Sequence, residues 1–365
     1  MQFYMPVRVY DEPDCVSRRA RELSALGTKA LIVTGKHSAA RCGALGDVTS
    51  ALRGCGVSYC HFSDVEENPS VETVVRAAEQ GLKEKADFVI GIGGGSPMDA
   101  AKAAAFLMKC DRPAPEYLYD SAAASGHLPV AAVPTTCGTG SEVTGVSVLT
   151  RHDKKTKGSI PHRIFPAIAL IDGKYLEAAG EALLINTSVD ALAHLIESYL
   201  GAKADDYSRF TALSGLQIWK SVRGVLTGEK EAGPEERSLL MRASAFAGMS
   251  IAQTGTSLPH ALSYIVTYDM KLPHGAAVGI FLAGFLREAS PEDRGQILKA
   301  AGFADIDAFD EFLRKVLPEV LVPADTLKRT FESVSASPAK MNSCRFPADG
   351  DVLYRILKSA SSRLA

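Results

Sequence analysis

Asp87-Phe-Val-Ile-Gly-Ile-Gly-Gly-Gly-Ser-Pro-Met-Asp-Ala-Ala-Lys102 runs from an apolar stretch through three successive glycines into Ser96 and Pro97. The apolar part reads as a buried strand and the part after Ser96 as a helix. Glycine lets a backbone approach a bulky anion closely, and a helix N-terminus presents unpaired N–H groups and the positive end of its dipole. Pro97 suits the first helical turn, where its missing N–H has no intrahelical partner. The spacing is neither GxGxxG nor a loop ending in Gly-Lys-Ser/Thr. A plain strand-to-helix turn accounts for the same residues, so Gly94, Gly95, Ser96 and Asp99 are candidates for a phosphate-holding loop only if other segments agree.

Working outward, apolar runs at Lys29–Thr34, 57–62, 87–91, Val130–Pro134 and 167–171 alternate with helix-like segments such as 70–83 and 96–108. That alternation predicts a largely parallel sheet with helices on both faces. After about residue 180 the strand-like runs stop. Segments near 187–200, 206–225, 234–254, 290–301, 307–316 and 350–362 have helical spacing, punctuated by prolines at 259, 273, 291, 318, 323, 338 and 347. The expected architecture is α/β plus all-α, with a boundary near residue 178: a domain of 1–178 and a domain of 179–365. A second loop, Pro134-Thr-Thr-Cys-Gly-Thr-Gly-Ser-Glu-Val-Thr144, also follows a strand. Two glycine- and hydroxyl-rich loops at strand ends of one sheet suit a dinucleotide crevice better than either does alone.

Composition narrows the function classes. Forty basic and 42 acidic residues leave a formal net charge of −2, so nothing favours nucleic acid or an anionic membrane surface. The longest apolar stretch, 275–286, falls short of the ~20 residues that span a bilayer. The first residues show no basic segment followed by an apolar run, and the expected location is cytoplasmic. Seven cysteines form no CxxC pair, so reduced thiols are expected and a thiolate metal site is not.

Any metal must therefore be held by histidines and carboxylates. The helical half contains Asp190-Ala-Leu-Ala-His194, then His260 after Pro259, where a helix is expected to begin, and His274 after Pro273 in a Leu-Pro-His-Gly turn. A carboxylate and an imidazole at i and i+4 share a helix face, about 5–6 Å apart at Cβ. With His260 and His274 they would make a site of three nitrogens and one oxygen, suited to Fe(II) or Zn(II). Asp-x-x-x-His is also a common ion pair on helix surfaces.

GGGSPMDAAK, PTTCGTGSEVT, DALAHLIESYL and LPHALSYIVTYDMKLPHG, in this order, resemble the motifs of the iron-containing (group III) alcohol dehydrogenases. The resemblance covers almost the whole chain and thins beyond about residue 300. It implies a Rossmann-like dinucleotide-binding domain and a C-terminal helical metal-binding domain, with the metal in the cleft between them. It places Asp190, His194, His260 and His274 on the four ligand positions and Gly94, Gly95, Ser96 and Asp99 on the pyrophosphate and ribose loop. Thr135, Thr136, Thr139 and Ser141 fall on the second cofactor loop, and Lys157 on a cofactor-contacting lysine, though Lys154, Lys155 and Lys157 also read as a solvated basic run. The implied activity is hydride transfer between a nicotinamide and a small primary alcohol or aldehyde, in a homodimer or larger assembly.

Two departures from the family pattern carry expectations. Gly35 stands where many NAD-preferring members have Asp after the first strand. Losing that carboxylate removes a repulsion for a 2′-phosphate, which Lys36 and Ser38 can hold, so NADP is expected, with NAD the alternative. Tyr264 stands where many members have a second histidine, and its ordinary pKa near ~10 makes it a poor proton shuttle. The rival enzymes are same-fold relatives, such as a glycerol dehydrogenase or a dehydroquinate-synthase-like lyase. The rival outside enzymology is a catalytically silent nucleotide-binding protein.

Overall fold

Strands form where the apolar runs predict them, because both faces of the sheet are covered. The computed structural model describes residues 1–123, 126–154 and 156–361; Lys155 and the end of the expected 350–362 helix lie outside the described residues. The chain divides into two units, Met5–Thr136 with Gly140–Ala179, and Met1–Tyr4 with Cys137–Thr139 and Gly180–Ala365.

The first unit holds β1 (Arg8–Asp11), β2 (Lys29–Thr34), β3 (Ser58–Phe62), β4 (Phe88–Gly93), β5 (Val130–Pro134), β6 (Val148–Arg151), β7 (Thr156–Ser159) and β8 (Ile168–Ile171). Six of them make one parallel sheet in the order β1-β8-β5-β4-β2-β3, while β6 and β7 form an antiparallel hairpin. Successive residues of a strand face opposite sides. Leu31 and Val33 accordingly pack with the helices Val71–Lys83 and Gly95–Leu107, and Ala30 and Ile32 with Val48 and Leu52 of the helix Ala44–Gly54.

The strand order reverses between β2 and β4. In open α/β sheets the crevice beyond the carboxyl ends of strands at such a reversal is where ligands bind. In-register pairing of Thr34 with Ile92 and of Gly93 with Pro134 brings the ends of β2, β4 and β5 out together. The glycine loop, the 134–144 loop and Gly35 therefore begin at one edge.

The second unit is helical: Glu181–Tyr199, Asp206–Leu226, Pro234–Thr254, Leu258–Met270, His274–Glu288, Pro291–Ala301, Ile306–Val316, Ala324–Ser335 and Gly350–Ser361 are its longer helices. Pro259, Pro291 and Pro338 lie in the first turns of helices, so these prolines open helices rather than interrupt them. The long apolar stretch belongs to a core helix, buried at every position from Gly275 to Leu286. Among the described residues no helix is long and apolar enough to cross a membrane, and all seven cysteines are free.

Candidate active site

Asp190, in the middle of the 181–199 helix, collects three histidines around one carboxylate oxygen. From its Oδ1 it is 3.4 Å to His260 Nε2, 3.7 Å to His274 Nε2 and 3.9 Å to His194 Nε2. The His194 and His260 rings stack with centroids 4.5 Å apart, and those of His260 and His274 meet edge to face at 5.3 Å. Ligand atoms of Asp190, His260 and His274 all lie within 4.8 Å of one another; His194 stands outside that tightest group.

Local structure explains how each side chain arrives. Asp190 and His194 share a helix face at i and i+4. The 258–270 helix has Pro259 in its first turn, and the His260 N–H there, which has no intrahelical partner, donates to Glu197 Oε1 at 2.9 Å, while His260 Nδ1 donates to Glu197 Oε2. Glu197 is fully buried and sits on the stripe formed by 190 and 194, at i+7 and i+3. His274 opens its own helix, and the next residue, Gly275, is pressed against the 181–199 helix. A Cβ there would stand 1.8 Å from the carbonyl oxygen of Asn186, one turn before Asp190. His194 Nδ1 faces the carbonyl of Gly138 at 3.3 Å.

The site fits a divalent ion. Asp190 Oδ1 and His260 Nε2 are buried, yet neither makes a hydrogen bond with any described residue. Buried polar atoms are nearly always satisfied, and an orphaned pair marks a missing partner. Two donors each ~2.1 Å from a tetrahedral ion stand ~3.4 Å apart, close to the separations seen. Burial would raise the Asp190 carboxyl, but the His194, His260 and His274 imidazoles outweigh it and hold it well below the usual range. Burial lowers His194; for His260 the carboxylates of Glu197 and Asp190 overcome the same burial and raise it. Glu197 accepting the Nδ1 proton leaves the Nε2 lone pair of His260 directed at Asp190, and the Gly138 carbonyl favours the same tautomer in His194.

The expected cofactor residues are distributed as follows. Gly35 is half-buried beyond β2, with Lys36 and Ser38 exposed after it. Gly93 has φ of +149° and opens the turn into Gly94, Gly95 and Ser96, which are half-buried. Thr135 N donates to Gly93 O at 2.9 Å, and a Cβ at Gly94 would meet Thr136 Oγ1 at 3.0 Å, so these two loops touch. Ser141 Oγ donates to Asp99 Oδ1 at 2.6 Å, and Asp99 Oδ2 accepts from Val148 N at 2.9 Å, so that carboxylate braces the loops. Thr139 groups with the helical unit. Lys157, on the mostly exposed strand β7, bonds the Asn68 side chain.

Three buried charged residues, Glu197, Lys102 and Glu142, were not anticipated. Glu197 had a signal, being a carboxylate on the 190/194 stripe of an otherwise apolar helix. Lys102 is fully buried among alanines and donates to Ser141 Oγ at 2.6 Å, Val146 O at 2.9 Å and Thr144 Oγ1 at 3.3 Å. Burial lowers its ammonium, with Asp99 and Glu142 opposing, and raises the carboxyl of buried Glu142 to about 7.

A family model for iron-containing alcohol dehydrogenase matches residues 6–173, and the model for the C-terminal part of the Fe-containing alcohol dehydrogenase family matches residues 184–309. The chain belongs to the iron-containing alcohol dehydrogenases. A crystal structure of an iron-containing alcohol dehydrogenase from Thermotoga maritima is 35% identical with a TM-score of 0.89, covering 99% of each chain. The sulfoacetaldehyde reductase of Bilophila wadsworthia is 30% identical over 284 residues, 76% of this chain and 72% of that protein. The NADPH-dependent butanol dehydrogenase of Clostridium saccharobutylicum is 30% identical over 321 residues, 83% of this chain and 80% of that protein. This dehydrogenase is thus an NAD(P)-linked, metal-dependent oxidoreductase of alcohols and aldehydes.

Proposed function

We propose that this dehydrogenase interconverts a small primary alcohol and its aldehyde with NADP, using Fe(II) or Zn(II) held by Asp190, His194, His260 and His274. The orphaned pair Asp190 Oδ1 and His260 Nε2 carries the reading. A divalent ion there supplies a Lewis acid for the substrate oxygen, and the nicotinamide supplies or accepts the hydride. Asp190 brings one negative charge and the imidazoles none, so the donor set leaves a divalent ion net positive. Glu197 and the Gly138 carbonyl hold His260 and His194 in the ligating tautomer.

For the cofactor we assign Gly94, Gly95, Ser96 and Asp99 with Thr135, Thr136, Thr139 and Ser141 to the pyrophosphate, ribose and nicotinamide side. Gly35, Lys36, Ser38 and Lys157 are assigned to the adenosine side. The switch between β2 and β4 supports this, since glycine-rich backbone leaves both strand ends there. The preference for NADP rests on the missing carboxylate at Gly35 and the exposed ammonium of Lys36 beside it. We further infer a dinucleotide-binding domain over 1–178 and a metal-binding domain over 179–365, in a cytoplasmic homodimer or larger assembly. The test is turnover of primary alcohols and aldehydes after reconstitution with Fe(II) or Zn(II), using each cofactor. His260→Ala and His274→Ala should lose bound metal and turnover together. Full activity in metal-free protein, or a higher kcat/KM with NADH than with NADPH, would overturn the corresponding part.

A further inference from the structure

Lys340 is a half-buried lysine held in place without a counter-ion. It lies in the short helix Pro338–Met341, and the residues that follow are tied down: Ser343 Oγ donates to Lys340 O at 2.6 Å and lies 3.0 Å from Ser257 Oγ, while Ala202 N donates to Ser343 O at 2.9 Å. Arg345 N donates to Leu200 O at 2.8 Å. These bonds fasten the 340–345 segment both to the chain just past the 181–199 helix, which carries Asp190 and His194, and to Ser257, which precedes the helix of His260. Lys340 is therefore mounted on the framework of the metal site.

Its ammonium makes no hydrogen bond or ion pair with any described residue, and its one close partner is the Tyr264 ring, with Nζ 5.7 Å from the centroid. Burial lowers its pKa, and no carboxylate acts to restore it. Tyr264 follows His260 by one helical turn on the same face. It is 42% exposed, yet its hydroxyl is raised by burial and by the charges of Glu197 and Asp190. The ring thus reaches from the surroundings of Asp190 to Lys340, with an open face. The ring face attracts the ammonium but accepts none of its three N–H donors, so an anionic oxygen can be added on the solvent side without displacing a protein partner.

We propose that Lys340, with the open face of Tyr264, is a specificity-determining subsite for the far end of the substrate, and that it selects aldehydes or alcohols bearing a single carboxylate or sulfonate. The proposal rests on the dehydrogenase reading above and names its substrate class. One cation matches one monoanionic group better than a phosphate dianion.

The test compares succinic semialdehyde with butanal, of equal carbon count, on the metal-loaded enzyme with NADPH, and separately measures calorimetric binding of 4-hydroxybutanoate. Wild type should favour the semialdehyde in kcat/KM by roughly tenfold to a hundredfold, the scale of one charge-assisted hydrogen bond. Lys340→Met should remove that advantage through KM, leave butanal within about twofold, and abolish hydroxybutanoate binding, whereas Lys340→Arg should retain most of it. The sulfonate analogue of the same length separates the two oxyanions. Turnover of butanal with no anion advantage, or an advantage that survives Lys340→Met, overturns the subsite alone. No turnover of either aldehyde, with Lys340-dependent binding of hydroxybutanoate, overturns the dehydrogenase reading and leaves the subsite standing.

Discussion

Glu197 directs both carboxylate oxygens at one residue, accepting the backbone N–H and the Nδ1–H of His260. A glutamine there has one acceptor oxygen, so one donor of His260 would confront an amide NH2. Glu197→Gln should weaken metal binding by roughly 10- to 100-fold, read by titration against a competing chelator. Gly35→Asp tests the cofactor at the same scale. A Cβ there would meet Val65 O at 3.3 Å, which a small shift accommodates. The added carboxylate should repel a 2′-phosphate and move the ratio of kcat/KM for NADPH over NADH downward by roughly tenfold or more. Glu142 offers a pH test. Its carboxyl is raised to about 7 in the fold, against an unfolded value of ~4.3. The folded state therefore binds the proton more tightly, and this contribution to stability is lost as pH rises between those values. Between about pH 5 and about pH 8 the thermal midpoint of Glu142→Gln should gain on that of the wild type; parallel curves would show that the carboxyl does not titrate in that window.

At the scale of elements, the 274–288 helix is placed by a residue without a side chain. Any Cβ at Gly275 collides with the Asn186 carbonyl, so Gly275→Ala must separate two packed helices and carry His274 away from Asp190. Destabilisation of about 1–3 kcal/mol is expected, together with metal loss that a surface glycine such as Gly46, with nothing near its Cβ, should not show. Element scale also shows what could be read beforehand. β2 and β5 were legible end to end, because strands buried on both faces become unbroken apolar runs. β1 was not: Arg8-Val-Tyr-Asp11 is a half-buried edge strand whose place comes from pairing Arg8 with Ile168, about 160 residues away in sequence. The β6–β7 hairpin was missed because Thr156-Lys-Gly-Ser159 contains no apolar residue; a helix starting at Pro259 was legible, whereas the 274–288 helix was obscured because Leu-Pro-His-Gly reads as a turn and Pro273 in fact caps the helix. The meeting of Asp190 with His194, His260 and His274 was legible because the i, i+4 spacing puts two of them on one helix face and the motif resemblance adds the other two. Lys102 and Glu197 were not, since their importance lies in partners distant in sequence.

For the whole molecule, a metal that binds only the folded chain adds RT ln(1 + [L]/Kd) to stability, about 2.7 kcal/mol at a hundredfold excess over Kd. Chelation should therefore lower the thermal midpoint, and added Fe(II) or Zn(II) should restore it; an unchanged midpoint would argue that Asp190 and its histidines grip nothing. The course of the chain sets a further constraint. Cys137–Thr139 groups with the helical unit although the residues on both sides of it belong to the other. No single cut can sort the polypeptide into its two halves. Co-expressed fragments divided at about residue 178 would leave Gly138 covalently on the piece that does not contain His194, so a split enzyme should regain metal-dependent activity only when the pieces reassociate, and circular permutants opened inside 134–144 should fare worse than those opened at Gly228.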